Sequence, residues 1–139
     1  MRKIGVIDIG SNTMHLDVFE VTARNDVRKI AWKTAVNKLG HHLDAASIIP
    51  QEQIARALSD LEELYEFALK YRVREFVCFG TSIVREAKNA RAFIDAIKRR
   101  LRMHVETMSS HAEADAIERA ARHYERLSLK NTLVVDIGG

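Results

Sequence analysis

The chain has 139 residues, which suits one domain of ordinary size that buries a core without disulfides or a structural metal. Apolar residues make up 47% and charged residues 29% of the sequence, and these values exclude a wholly disordered chain. The formal net charge is only +3, and no dense stripe of Lys and Arg interleaved with aromatics is present, so we expect no nucleic-acid partner.

Two further features bound the compartment and the redox chemistry. Cys78 is the only cysteine, which excludes a disulfide framework and favours a small buried hydrophobe in a strand. The first residues contain no apolar run long enough for a signal peptide or a membrane span. We therefore expect a cytoplasmic protein without a membrane partner.

The first part of the chain predicts three strands. A β-branched run covers residues 3–9, an alternating pattern covers 14–21, and a third extended segment covers 27–36. The links at 10–12 and 24–26 are short and consist mostly of turn residues. The three strands are therefore predicted to form an antiparallel meander.

The rest of the chain alternates helices and strands. After a loop at 41–49, Pro50 is a good first residue for a helix. Apolar residues then recur at steps of three and four over four turns: Ile54, Leu58, Leu61, Tyr65 and Leu69. The elements predicted after this helix are a strand at 75–80, a helical region whose second half is 92–101, a strand at 103–108, a helix at 110–127 and a strand at 131–137. The unbroken apolar run at 76–79 predicts burial on both faces of its strand.

The first eight elements have the order βββαβαβα. This order predicts an α/β fold, a ribonuclease-H-like lobe over residues 1–130 with a mixed sheet flanked by helices. Residues 135–138 repeat the pattern of residues 7–10, Asp-Ile-Gly after a hydrophobic residue, which suggests duplication of the whole lobe. We therefore interpret residues 131–139 as the first strand of a truncated second lobe.

Residues 8–13 read Asp-Ile-Gly-Ser-Asn-Thr and form the first candidate site. Gly10 allows a tight turn, whose amides and hydroxyls then point into one small space that suits a phosphate. Asp8, at the end of a strand, would hold Mg²⁺ through water. The alternative is a plain hairpin turn capped by Asp8. The second Asp-Ile-Gly at 136–138 favours the phosphate interpretation, because two facing turns would clamp one phosphate chain.

Two other segments carry candidate chemistry and each has a structural alternative. Ser110 and Glu113 have the spacing of a helix capping box, but Glu113 would equally be a carboxylate that activates water. Arg85 lies one turn into a predicted helix that opens at residues 81–82, where it would reach a phosphate with a bidentate fork. It would otherwise be a surface arginine paired with a nearby acid. The histidines lack the spacing of a zinc site.

The motifs together resemble the exopolyphosphatase and guanosine pentaphosphate phosphohydrolase (Ppx/GppA) family, within the actin-like ATPase superfamily. The resemblance rests on residues 7–16 (first phosphate motif), 38–40 (end of the third strand), 81–90 (the most family-specific stretch), 109–114 (a segment usually rich in Glu) and 134–139 (start of the second phosphate motif). It implies that this chain is the first half of an actin-like duplication. It also implies that a missing C-terminal lobe completes the active site, and it leaves a homodimer open.

The resemblance also implies a role for each matching residue. Glu113 would orient or deprotonate the attacking water, Asp8 and Asp136 would lie near Mg²⁺, and Arg85 would face phosphate. The phosphate-cradling turns would be formed by Gly10, Ser11, Asn12 and Thr13, with Gly138 and Gly139 from the second motif. The chain departs from the family pattern at Thr13, where Ser is commoner, and at residues 111–112, which are often acidic.

The implied reaction is hydrolysis of a terminal phosphoanhydride in polyphosphate or guanosine pentaphosphate. Because the second phosphate motif is cut short, we expect the lobe alone to be inactive. Two alternatives remain at this point. One is a sugar-kinase or actin-like ATP-binding lobe, and the other is a non-catalytic domain that binds polyphosphate or a guanosine alarmone.

Overall fold

The computed structural model describes residues 1–23, 26–42, 47–124 and residue 135. Its strands are β1 (Arg2–Ile9), β2 (Thr13–Val21), β3 (Val27–Val36), β4 (Glu75–Gly80) and β5 (Val105–Thr107). Its helices are α1 (Gln51–Lys70), α2 (Ser82–Glu86), α3 (Ala90–Leu101) and α4 (Ser110–Tyr124), with a short 3₁₀ helix at Leu39–His42. The predicted strand at 131–137 and the predicted boundary at 130 fall on residues of which only Val135 is described.

The five strands form one mixed sheet in the order β3-β2-β1-β4-β5. The first three strands pair antiparallel, whereas β4 and β5 extend the sheet parallel to β1. The predicted α/β lobe is therefore confirmed. Because β1, β4 and β5 run in the same direction, their carboxyl ends meet at one edge, where parallel sheets place their ligands.

The core lies between one face of the sheet and the helices α1 and α3. Side chains alternate along a strand, so Ile7 and Ile9 share this face, and both are fully buried. Leu61 of α1 and Phe93 of α3 are also fully buried in the same cluster. Each such side chain stabilises the fold by roughly 1.5–3 kcal/mol relative to an exposed position.

Strand β4 differs from the prediction, because it is not buried on both faces. Cys78 is buried in the core, but its neighbour Val77, on the opposite face, is 49% exposed. The helices α1 and α3 bury residues of the Cys78 face. An apolar run of this length does not reveal how many faces are covered.

The predicted helical region after β4 is divided into two helices. The backbone is extended at Ala87, with ψ of 129°, and α3 begins only at Ala90. Between them, the Asn89 side chain accepts a hydrogen bond of 2.9 Å from the Ile49 amide and donates one of 2.8 Å to the Ile49 carbonyl. These two bonds attach the link between α2 and α3 to the segment before α1, where the chain is not helical.

Helix α1 begins one residue later than predicted, with Pro50 as its N-cap rather than its first residue. The Pro50 carbonyl accepts the first helical hydrogen bond, from the Ile54 amide at 3.1 Å.

Among the described residues, no helix combines the length and the hydropathy that crossing a membrane requires.

Candidate functional site

Three turns follow β1, β4 and β5 at the carboxyl edge of the sheet, and hydrogen bonds join them into one rim. The Thr81 amide donates to the Ile9 carbonyl at 3.2 Å, and the Met108 amide donates to the Gly80 carbonyl at 2.9 Å. The hydroxyl oxygens of Ser11 and Ser82 lie 2.7 Å apart, so the first turn also contacts the start of α2 directly. The residues predicted from three distant parts of the sequence therefore share one edge.

Hydrogen bonds from segment 37–40 to two backbone carbonyls fix the orientation of the hairpin turn at 10–13. The Ser11 carbonyl accepts a hydrogen bond of 2.6 Å from the Gly40 amide. The Asn12 carbonyl accepts bonds of 3.1 and 3.0 Å from the amides of residues 37 and 38. In a trans peptide the next N–H points opposite to the carbonyl, so the amides of Asn12 and Thr13 point away from segment 37–40. The turn thus directs backbone donors to its other side.

Two glycines allow this arrangement by their lack of a side chain. A Cβ atom on Gly10 would lie 2.8 Å from the Thr13 carbonyl oxygen, which also accepts the Gly10 amide at 3.0 Å. A Cβ atom on Gly40 would lie 2.9 Å from the Ser11 Cβ atom. Each distance is shorter than ordinary van der Waals contact, so a larger residue at either position would displace the turn.

Gly80, the last residue of β4, is equally constrained by α2. A Cβ atom there would overlap Val84 Cγ2. We expect Gly80→Ala to destabilise the fold by roughly 1–3 kcal/mol in urea unfolding, because an added methyl group overpacks this contact. Since Val84→Ala removes the opposing methyl groups, the double variant should lose less stability than the sum of the two single losses. Additive losses would show that the Val84 methyl groups are not the cause.

Arg85 of α2 connects this rim to α4. Its Nη1 atom donates a hydrogen bond of 2.8 Å to the Met108 carbonyl and lies 3.6 Å from Glu113 Oε2. Its Nη2 atom lies 3.7 Å from Glu86 Oε1. The side chains of Arg85 and Glu113 are 28% and 31% exposed. Arg85 is therefore paired with nearby acids, as its structural alternative predicted, but one of them, Glu113, is itself the candidate catalytic residue.

The predicted capping box at Ser110 and Glu113 is wrong. Helix α4 is capped by Ser109, whose hydroxyl accepts a hydrogen bond of 3.1 Å from the Ala112 amide. Glu113 is one position too far along the helix for the reciprocal bond of a capping box. The Glu113 side chain instead lies 3.6 Å from Arg85 Nη1.

Asp8 lies on β1 between His15 of β2 and Phe79 of β4 in the pairing register. The residue is half-buried, and its Oδ1 atom is enclosed by protein. Burial, and secondarily the Asp8 carboxylate, raise the pKa of the Cys78 thiol to about 12. Cys78 is therefore a protonated, buried side chain, as predicted, and lacks the thiolate that nucleophilic chemistry needs.

Comparison with known proteins places this chain in a family. The model of the Ppx/GppA phosphatase family matches residues 18–139. The chain belongs to this family. Exopolyphosphatase 1 of Mycobacterium tuberculosis is 25% identical over 137 residues, which cover 99% of this chain and 40% of that relative. The bifunctional 3-dehydroquinate synthase/phosphatase of Fusobacterium nucleatum is 29% identical over 140 residues, covering 96% of this chain and 21% of that relative.

Solved structures of Ppx/GppA proteins share the fold. The crystal structure of an exopolyphosphatase from Cytophaga hutchinsonii matches 87% of this chain and 38% of its own, at 29% identity and a TM-score of 0.81. The Aquifex aeolicus family member gives the same TM-score at 21% identity, over 91% of this chain and 41% of its own. The chain spans about 40% of the length of the exopolyphosphatases that it matches.

The structure thus brings together most, but not all, of the residues predicted for the Ppx/GppA site. The first turn, Arg85 and Glu113 lie along one edge of the sheet, with Asp8 one residue before the end of β1. Asp136, Gly138 and Gly139 lie outside the described residues. Their proposed place opposite the first turn stays a prediction.

Sequence reasoning missed the contacts that support the Ppx/GppA turn from behind. Segment 37–40 holds the turn carbonyls, and Ser82 contacts Ser11. The Lys-Leu-Gly at 38–40 had marked the family resemblance without indicating this contact. Gly40, in the 3₁₀ helix after β3, was the available signal, because a glycine lets two backbones approach closely.

Proposed function

We propose that this chain is the amino-terminal lobe of a phosphoanhydride hydrolase that releases terminal phosphate from inorganic polyphosphate. The observation that carries the proposal is the Arg85–Glu113 pair, 3.6 Å apart beside the hydrogen-bonded rim of turns. In a chain of a phosphatase family, such a pair combines a group that attracts phosphate with a group that accepts a proton from water.

The described residues would divide the chemistry among them. The amides of Asn12 and Thr13, with the hydroxyl groups of the same turn, would bind the oxygens of the transferring phosphoryl group. Arg85 would neutralise its growing negative charge. Glu113 would orient a water molecule in line with the breaking bond and take its proton. The leaving group is the shortened chain, which carries away the electron pair of the broken P–O bond.

A magnesium ion fits the donor set of this site. No group of three or more His, Cys, Asp or Glu residues close enough to hold a metal occurs within the described part of the chain. Mg²⁺ tolerates this, because it keeps several waters and binds through one or two carboxylates plus substrate phosphates. Asp8, together with Asp136, would hold it. When bound, the ion would neutralise phosphate charge.

The second half of the site would come from the rest of the protein. We infer that residues 131–139 begin a second lobe, in which Gly138 and Gly139 form a phosphate turn facing the first. Residues 1–139 alone would then supply one side of a two-sided clamp and should bind phosphate chains weakly.

Polyphosphate and guanosine pentaphosphate share the terminal anhydride on which this geometry acts, so the proposed mechanism serves both. The named exopolyphosphatases among the relatives favour polyphosphate. Guanosine pentaphosphate is the second candidate, because the family name covers both activities.

The decisive measurement is phosphate release by the full-length protein. With Mg²⁺ and polyphosphate, we expect free phosphate to appear without any acceptor sugar, and residues 1–139 alone to release little. Guanosine pentaphosphate should be tested in parallel at the same concentration of terminal phosphates. Phosphate transfer only in the presence of a sugar acceptor would contradict the proposal and identify a kinase.

A further inference from the structure

The edge of the sheet opposite the candidate site carries a cluster of basic residues. The amino ends of the parallel strands meet there, together with the α1–β4 and α3–β5 connections. Two adjoining depressions lie at this edge, of about 460 and 580 Å³, and Arg74 lines both. We call this surface, from residues 1–3, 69–76 and 101–104, the basic edge.

The first depression carries positive charge that the described residues do not compensate. It is lined by Met1, Arg2, Lys3, Arg72, Arg74 and Glu75. Glu75 is its only carboxylate and is already paired with Arg2 at 3.4 Å. Among the described residues, Lys3, Arg72 and Arg74 form no ion pair. Clustered charge of one sign attracts a partner of the opposite sign.

The second depression adds an apolar surface to this charge. Leu69, in the last turn of α1, is 45% exposed and lines it. The rings of Tyr65 and Phe76, packed at a centroid distance of 4.9 Å, line it as well. Arg102 and His104 are also among its lining residues. An inorganic polyanion has no apolar group that it could bury against this surface.

Two of these arginines have a left-handed backbone conformation, which costs free energy for any residue with a side chain. Arg72 and Arg102 end α1 and α3 in the left-handed conformation, with φ of 62° and 54°. After α1 the chain forms the two hydrogen bonds of a Schellman motif, from the Arg72 amide to Leu69 and from the Val73 amide to Ala68. Glycine is the residue that takes this position without steric cost. The two helix ends thus place both arginines at the basic edge.

We propose that the basic edge docks an acidic protein segment that carries a bulky apolar side chain. Carboxylates of the segment would meet Lys3, Arg72 and Arg74, and the apolar side chain would cover Leu69 in the second depression. The surface lies at the far edge from the phosphate turn, so docking leaves that turn accessible. The proposal does not depend on the proposed function.

Fluorescence anisotropy on the full-length protein tests this directly. The probes are two fluorescein-labelled peptides, one of seven glutamates and one with leucine at its central position. The leucine peptide should bind about tenfold more tightly, because burying that side chain outweighs one lost charge. Leu69→Ala should abolish most of this difference. Arg74→Ala should weaken the binding of both peptides by about three- to fivefold.

Two further variants separate docking from folding. Arg72→Gly should weaken peptide binding while keeping or raising Tm, because glycine fits the left-handed position. Arg119→Ala, an exposed residue of α4 without an ion pair among the described residues, is the charge-matched control and should bind like the wild type. Equal affinity for the two peptides would overturn the proposal and indicate a general polyanion surface. Equal effects of Arg74→Ala and Arg119→Ala would also overturn it.

Discussion

Replacing Glu113 with glutamine in the full-length protein is expected to lower kcat for polyphosphate hydrolysis by about 10²- to 10⁴-fold. Glutamine keeps the size of the side chain but accepts no proton from water. Because Glu113 is 3.6 Å from Arg85 and partly exposed, losing this ion pair should cost little stability. The checks are steady-state phosphate release and urea unfolding of the same preparation.

Two variants on the same helix make this result specific. Glu118→Gln removes a carboxylate that lies beyond Glu113 on α4 and pairs with Arg122 at 2.6 Å, and it should leave kcat unchanged. Ser109→Ala removes the observed helix cap and should cost roughly 1 kcal/mol of stability without a comparable loss of rate. If Glu113→Gln instead lost stability and kept its rate, Glu113 would be a structural residue.

The parts of the fold that repeat with a period were predicted correctly from the sequence. The apolar steps that begin at Ile54 predicted α1, although Leu69 at their end is 45% exposed rather than part of the core. A β-branched run predicted β1, and alternating apolar residues predicted β2. Element order then gave the sheet topology, since parallel strands need crossovers. In the structure, the shared direction of β1, β4 and β5 places the candidate turns at one edge.

Three features were not predicted from the sequence, and two of them depend on contacts between segments that are distant in the chain. The exposure of Val77 depends on which helices cover each face, and a four-residue apolar run does not contain that information. The break at Ala87 depends on the Asn89 side chain bonding to Ile49, forty residues earlier. The shift of the helix cap from Ser110 to Ser109 is a one-residue change between two serines, which composition alone cannot resolve.

The shift of the α4 cap from Ser110 to Ser109 decides whether Glu113 can pair with Arg85. With Ser110 as the cap, Glu113 would be occupied at the helix end, and Arg85 would have only Glu86 as an acidic partner. With Ser109 as the cap, Glu113 turns to Arg85, and both candidates become one unit. Their effects on rate should therefore be coupled rather than additive.

Arg85→Lys should lower kcat/KM of the full-length protein by about tenfold or more. Lysine keeps the positive charge but lacks the planar fork, so it cannot bond to the Met108 carbonyl and also face Glu113 and a phosphate. A lost hydrogen bond to a charged group costs roughly 1.5–3 kcal/mol, which corresponds to a factor of ten or more. Arg91→Lys, at an exposed pair with Asp95 on α3, is the matched control and should change nothing.

The division of this loss between KM and kcat separates two roles of Arg85. If the guanidinium binds phosphate in the ground state, KM rises. If it only holds Glu113 in place, kcat falls at constant KM, and Arg85→Lys combined with Glu113→Gln loses little beyond Glu113→Gln alone. We expect a raised KM together with this non-additivity, because Nη1 bonds to Met108 beside Glu113, whereas Nη2 lies 3.7 Å from the exposed Glu86 carboxylate, which a phosphate would displace. Unchanged kcat and KM in Arg85→Lys would remove Arg85 from the site.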